Sequence, residues 1–222
     1  MRIGTWNLEG RWKPEHEALL ADANCDVWLL TEVNERVELP GYHQHFGDAR
    51  MRPGCRWAGV YSRSHMTPVP DPHVASAAAV VDGVTYCATI LPWKGAGGEP
   101  TWPGAEPPRN VHSGRMRYAL EELLAGLPRT GLVWGGDWNQ ALYGPEWAGS
   151  KGGRAHVVAA VERLGLYVPT AGLPHRLEGH LSIDHIAVPH RCRVVAVERR
   201  TAVGLSDHDC YVIDVEPGAP SS

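Results

Sequence analysis

Apolar runs of strand length recur from one end of this chain to the other, and only three stretches carry helical spacing instead. Runs at 2–6, 26–31, 56–62, 74–81, 84–91, 131–135, 183–188, 193–201 and 209–215, several of them rich in Val, Ile and Trp, are expected to be strands. A first helix is expected from Pro14, whose ring suits an opening turn, with Leu19 and Leu20 turned toward a core. A second follows Ser113 as N-cap and carries Met116, Leu120, Leu123, Leu124 and Leu127 at helical spacing. The third runs from about Gly153 to Leu164, with Val157, Val158, Val161 and Leu164 on one face. Helices separated by several strands each point to an α/β (α+β) protein in which sheets stack face to face with helices outside.

Nothing charged or Ser-rich divides these runs, and 222 residues at 43% hydrophobic content can bury a substantial core. The expectation is one domain over 1–217, followed by a short disordered tail at 218–222. A formal charge of −4 lacks the basic stripe of a protein that grips duplex nucleic acid through phosphates alone. The five cysteines, Cys25, Cys55, Cys87, Cys192 and Cys210, are scattered, odd in number and without a CxxC pair, so they read as reduced core thiols. The opening MRIGTWNLEG has neither the basic nor the long apolar part of a secretory leader, and no stretch approaches the roughly 20 apolar residues of a membrane span. A cytoplasmic monomer is the corresponding expectation.

Between Pro92 and Pro108 nine of seventeen residues are Gly or Pro, which marks a long loop, functional or disordered. Its Trp93 and Trp102 either serve binding or fold back onto the core. Trp12 offers another stacking surface. Arg50, Arg52, Arg56 and Arg63 make a local basic run, either a solvated face or a patch for phosphates.

Five polar clusters sit where an apolar run begins or ends: Thr5-Trp6-Asn7-Leu8-Glu9, Thr31-Glu32, Gly136-Asp137-Trp138-Asn139, Ser182-Ile183-Asp184-His185 and Ser206-Asp207-His208. Each alone has an ordinary explanation. Asn7 suits a turn, Glu32 a surface or helix cap, Asp137 with Asn139 an Asx-turn, and His185 a half-buried strand. Together they ask for more. Glu32 ends Val27-Trp28-Leu29-Leu30 and Asp137 ends Leu132-Val133-Trp134-Gly135-Gly136, and a carboxylate at the end of a buried strand is costly unless a cation or donors meet it. Few basic residues lie nearby in sequence. Carboxylates and amide oxygens without thiolates favour Mg²⁺ or Mn²⁺ over zinc.

In their order along the chain, TWNLEG at 5–10, LLTEV at 29–33, GGDWNQ at 135–140, SIDHI at 182–186 and SDHDCYVIDV at 206–215 resemble the motifs of the endonuclease/exonuclease/phosphatase superfamily. That superfamily includes pancreatic-type deoxyribonucleases, abasic-site endonucleases, inositol polyphosphate 5-phosphatases and neutral sphingomyelinases. The resemblance implies a four-layer αββα sandwich of two stacked mixed β-sheets with helices outside. It also implies metal-dependent hydrolysis of phosphoester bonds, with the site at one end between the sheets. By position, Glu32 resembles the principal metal ligand, with Asn7, Asp207 and Glu9 around it. Asp137 resembles the residue that orients or deprotonates the attacking water, and Asn139 its neighbour holding phosphate or nucleophile. His208 resembles the histidine at the scissile phosphate, and Asp184 the acid behind it.

The sequence departs from the family at one strand end, where many members carry a phosphate-binding His or Tyr and this chain reads Ala88-Thr89-Ile90-Leu91-Pro92-Trp93. Candidates for the missing donor are Arg109, Asn110 and His112, ahead of a helix whose N-terminus itself favours an anion. Trp93, Arg109, His112, Asn7 and Asn139 are thus the expected substrate contacts. The expected function is a Mg²⁺- or Mn²⁺-dependent phosphodiesterase or nuclease, with DNA or RNA ranked first. The alternatives are a small-molecule or lipid phosphatase or phosphodiesterase, for which the 92–112 loop would be an apolar lip, and a weakened binding module.

Overall fold

A computed structural model describes residues 1–97, 101–103 and 111–216; Arg109, Asn110 and the tail expected at 218–222 lie outside the described residues. Among these the chain forms two mixed sheets and three α-helices. The first sheet contains β1 (Arg2–Asn7), β2 (Val27–Asn34), β3 (His43–Phe46), β4 (Arg50–Arg52), β5 (Cys55–Ser62), β12 (Arg193–Arg200) and β13 (Cys210–Glu216). Its order is β12-β13-β1-β2-β5-β3, with β4 also on β5. The second contains β6 (Met66–Pro68), β7 (Ser76–Val81), β8 (Val84–Thr89), β9 (Leu132–Asp137), β10 (Leu166–Tyr167) and β11 (Asp184–Pro189), in the order β10-β11-β9-β8-β7-β6. The helices are α1 (Pro14–Ala23), α2 (His112–Gly126) and α3 (Lys151–Arg163).

The period-two alternation of the strands explains the layers. In β2, Val27 and Leu29 turn inward to meet Val133 and Ile186 of the other sheet, while Trp28 and Leu30 turn outward with Leu20 of α1. The second sheet likewise turns Trp134 out onto Met116 and Leu120 of α2 and Val157 of α3. Apolar faces on both sides of each sheet, with helices covering the outer ones, give the expected four-layer αββα sandwich.

Strand direction decides where the polar clusters go. β1 and β2 are parallel, pairing Asn7 with Thr31, so both release their C-terminal residues at one end. β13 is antiparallel to β1 and pairs Tyr211 with Thr5, which brings the residues just before β13 to the same end. In the other sheet β11 is antiparallel to β9, with Asp184 opposite Asp137. The sheets come close beside this end because Gly135 has no side chain: a Cβ there would lie 2.6 Å from the His185 carbonyl oxygen and 2.8 Å from Leu29 Cδ1 of the opposite sheet. Gly136 is tighter still, with a φ of +128° and the Thr89 carbonyl oxygen where a Cβ would be.

Two helix starts differ from the sequence expectation. The second helix begins at His112 with Val111 as N-cap, not after Ser113, because the His112 ring is tied to Pro92 and Ser150 and fixes the first turn. The third begins at Lys151, ahead of Gly153, because Ser150 caps it with its Oγ accepting from the Gly153 N–H. Of the loop tryptophans, Trp102 is buried, packed on Trp57, His73 and Trp93. Trp12 leans on the α1 core. The short strands β3, β4, β6 and β10 were not among the expected ones; His43–Phe46 and Arg50–Arg52 are too polar to carry an apolar signature.

Gly136→Ala should therefore lower stability by about 3 kcal/mol or more through overlap and left-handed strain. Gly172→Ala, at a position with nothing within 4 Å of the added carbon, should change it by less than about 1 kcal/mol. Urea unfolding of both variants checks the pair.

Candidate active site

Asn7 ends β1 on its inner face, fully buried, and its amide joins the two sheets. Asn7 Nδ2 donates to Glu32 Oε1 at 3.2 Å and to Asp137 Oδ2 at 3.0 Å, while its Oδ1 accepts from the Glu9 N–H at 2.8 Å. Glu32 reaches this position through its backbone. By strict alternation it would share the outward face of Trp28 and Leu30, but a φ of +46° turns it aside. Glu9 and Asn139 also have left-handed φ values, +54° and +51°. For residues other than Gly such conformations are strained, and they collect at functional sites.

Asp137 closes β9 almost wholly buried. Its Oδ1 accepts from the Asn139 N–H at 2.9 Å, an Asx-turn of the kind the sequence suggested. Asn139 Nδ2 donates to Asp137 Oδ2 at 3.2 Å and to the Leu91 carbonyl at 3.0 Å. Burial pushes the Asp137 carboxyl up to about 7, with Asp184 adding to the rise and His208 opposing it. Burial likewise raises Glu32, helped by the Asp137 charge and countered by the Asn7 amide.

The 206–208 loop is fixed to β1 by two bonds and braced by one of its own. Ser206 Oγ donates to the Asn7 carbonyl at 2.7 Å and accepts from the His208 N–H at 3.0 Å, and Trp6 Nε1 donates to the His208 carbonyl at 3.1 Å. His208 Nδ1 then lies 2.8 Å from Asp184 Oδ2, and its Nε2 lies 3.8 Å from Asp137 Oδ2 and 3.8 Å from Asp207 Oδ1. Burial works against charge on this ring, but Asp184 and Asp137 outweigh it and hold the imidazole well above its ordinary pKa. Asp184 has no exposure, its carboxyl is raised first by burial, and its Oδ1 has no hydrogen-bond partner among the described residues.

Asp137, Asp184 and His208 present ligand-type atoms within 4.8 Å of one another. Between these two aspartates the imidazolium is itself the compensating cation. Glu32 is differently placed: among the described residues its carboxylate meets Asn7 Nδ2 and, at 3.4 Å, Arg52 Nη1. A partly open carboxylate with no close cationic partner suits a hard divalent cation. Asp207 is exposed next to this group, and its N–H donates to Glu9 Oε2 at 3.1 Å. Glu9 is the junction of the rim: its other carboxylate oxygen accepts from Arg11, and its carbonyl accepts from Arg52.

Other expected residues lie apart from this network. His112 has both ring nitrogens engaged, Nδ1 with Ser150 Oγ at 2.7 Å and Nε2 with the Pro92 carbonyl at 2.9 Å. Trp93 is half-buried against Trp102. His185 is the ordinary buried histidine: its Nε2 donates to the Gln140 carbonyl and burial lowers it to about 4. Ile90 is buried among Trp57, Ala75 and Trp102, so the strand end that lacks a His or Tyr is filled by an apolar plug. The contact of Arg52 with Glu32 has no signal in the sequence, because the pairing of β5 with both β2 and β4 is what brings them together.

The profile of the Endonuclease/Exonuclease/phosphatase family matches residues 4–208. The fold is similar to the endonuclease domain of TRAS1, a telomere-specific non-LTR retrotransposon, at TM-score 0.69 and 14% identity over 98% of this chain and 99% of that one. It is similar to the AP endonuclease LMAP from Leishmania major at TM-score 0.67 and 17% identity, covering 96% of this chain and 86% of that one. It also resembles an endonuclease/exonuclease/phosphatase from Beutenbergia cavernae DSM 12333, at TM-score 0.66 and 18% identity over 98% and 72% of the two chains. No curated protein matches at the level of sequence. At these identities the likeness concerns architecture.

The His208 charge can be tested directly. In ¹⁵N NMR the His208 ring should remain an imidazolium at pH 7, and Asp184→Asn should move its titration down toward or below the ordinary value near 6.5. Identical titration in both proteins would contradict the pairing.

Proposed function

The chain belongs to the endonuclease/exonuclease/phosphatase family, and from that premise we propose that it is a Mg²⁺- or Mn²⁺-dependent phosphodiesterase, with a nucleic-acid strand as its foremost substrate class. The observation that carries the reading is the single network in which Asn7 joins Glu32 to Asp137 while Asp184 holds His208 beside Asp137. Glu32, with Asn7, Asp207 and Glu9 around it, would hold the ion, which when bound neutralises phosphate oxygens and assists the leaving oxygen.

The chain's own residues divide the remaining work. Asp137, pushed up toward neutrality by burial, accepts the proton of the attacking water as its oxygen bonds to phosphorus. Asn139, anchored to Asp137 and the Leu91 carbonyl, orients that water or a phosphate oxygen. The His208 imidazolium faces the charge that develops on the phosphate, and Asp184 keeps it protonated and aimed. Burial of Trp102 removes half of the apolar lip that a lipid substrate would use, which favours a water-borne phosphodiester.

With Mg²⁺ or Mn²⁺, the wild type should hydrolyse at least one member of a panel of plasmid, single-stranded DNA, RNA, abasic duplex, inositol phosphates and sphingomyelin, and a chelator should abolish that activity. Glu32→Ala and His208→Ala should each lower the rate by about a hundredfold or more. Equal rates in all three proteins would end the proposal.

A further inference from the structure

The four arginines of the basic run have different fates. Arg50 and Arg56 share Glu35, at 2.7 and 2.6 Å. Arg63 lies over Tyr42 and donates to Asn24 and to the Tyr42 hydroxyl. Arg52 alone turns to the carboxylate site. Its Nη2 donates to the Glu9 carbonyl at 3.1 Å and its Nη1 stands 3.4 Å from Glu32 Oε2, longer than a hydrogen bond of good geometry. Half of the side chain is exposed, at 49%. A guanidinium has five N–H donors, so most of those on Arg52 remain free to meet an incoming anion.

Its position answers the chemical gap at the end of β8. There Ile90 is an apolar plug, Thr89 Oγ1 accepts from Trp134 Nε1, and the His112 ring is fully engaged. Ile90 has no donor, the fully buried Thr89 hydroxyl lies between Trp134 Nε1 and Cys87 Sγ, and both His112 nitrogens are engaged, so none of the three offers a donor to a phosphate oxygen. We propose that Arg52 is the substrate-positioning residue of this site, taking a phosphodiester oxygen in a charge-assisted contact and standing in for the donor that the β8 end lacks. The inference rests on the phosphodiesterase reading above. It adds which residue holds the anion and from which side, the β4–β5 hairpin rather than the β8 end. The Arg52 side of this 3.4 Å ion pair is half exposed and its contact with Glu32 is long, so exchanging the carboxylate for a phosphate costs little. A guanidinium can then bind two phosphate oxygens in parallel, which an ammonium cannot.

The test compares wild type with Arg52→Ala, Arg52→Lys and the control Arg50→Ala, which removes the same charge two residues away from a side chain paired with Glu35. Binding of a fluorescein-labelled phosphorothioate oligonucleotide is measured across a salt series, and hydrolysis of the matching phosphodiester is followed. Arg52→Ala should weaken binding and raise KM by about tenfold or more, the loss falling on KM more than on kcat. The slope of log Kd against log salt should fall by about one contact. Arg52→Lys should recover part of the loss and Arg50→Ala should show none. An unchanged KM and salt slope in Arg52→Ala, or an equal loss in Arg50→Ala, would overturn the proposal. A wild type that binds the oligonucleotide but cleaves nothing would overturn the phosphodiesterase reading, leaving the Arg52 contact to stand or fall on binding alone.

Discussion

The structure turns on one buried amide. Asn7 belongs to the first sheet and Asp137 to the second, and Asn7 Nδ2 joins them while also donating to Glu32. Three polar side chains thus meet at an end of the sandwich where β1, β2 and β9 would otherwise leave carboxylates in apolar surroundings. A single amide cannot neutralise the buried Asp137 and the partly buried Glu32; it supplies donors without charge. Negative charge remains in excess, and burial first, then the neighbouring carboxylate, raises the Glu32 and Asp137 carboxyls. The imidazolium of His208 relieves the Asp137–Asp184 side, and Arg52 stands loosely at the Glu32 side.

The same interaction explains local features that look unrelated. Left-handed φ at Glu32 brings its carboxylate to the amide, and left-handed φ at Asn139 completes the turn that donates back to Asp137. Just before Asp137, Gly135 leaves room for Leu29 of the opposite sheet and Gly136 for the Thr89 backbone of the neighbouring strand. Ser206 links the 206–208 loop to the Asn7 carbonyl, so the backbone that carries the bridging amide also carries the histidine. Among the described residues, three of the five non-glycine residues with left-handed φ, Glu9, Glu32 and Asn139, belong to this network.

Much of this was legible in the sequence because it is written in short range. Strand alternation gave the layers, and a polar cluster at each strand end gave the residues that meet. What alternation does not encode is the exception to it: Glu32 lies on the face opposite to the one its spacing assigns, and only its backbone angle shows why. The starts of α2 and α3 escaped notice because they depend on the His112 ring and Ser150, which are brought together across loops. Trp102 was open between binding and packing until His73 and Trp57 closed around it. The four arginines looked alike as a run, and pairing across β4 and β5 separated one from three.

In the proposed function Glu32, rather than the Asp137–Asp184 pair, would receive the divalent cation, because the His208 imidazolium already compensates that pair. Crystals soaked in Mn²⁺ and measured at its absorption edge test this without any substrate. An anomalous peak should lie within coordination distance of the Glu32 carboxylate, with His208 still bonded to Asp184. A peak only between Asp137 and Asp184 with His208 as a ligand, or no peak at this end of the sandwich, would contradict it.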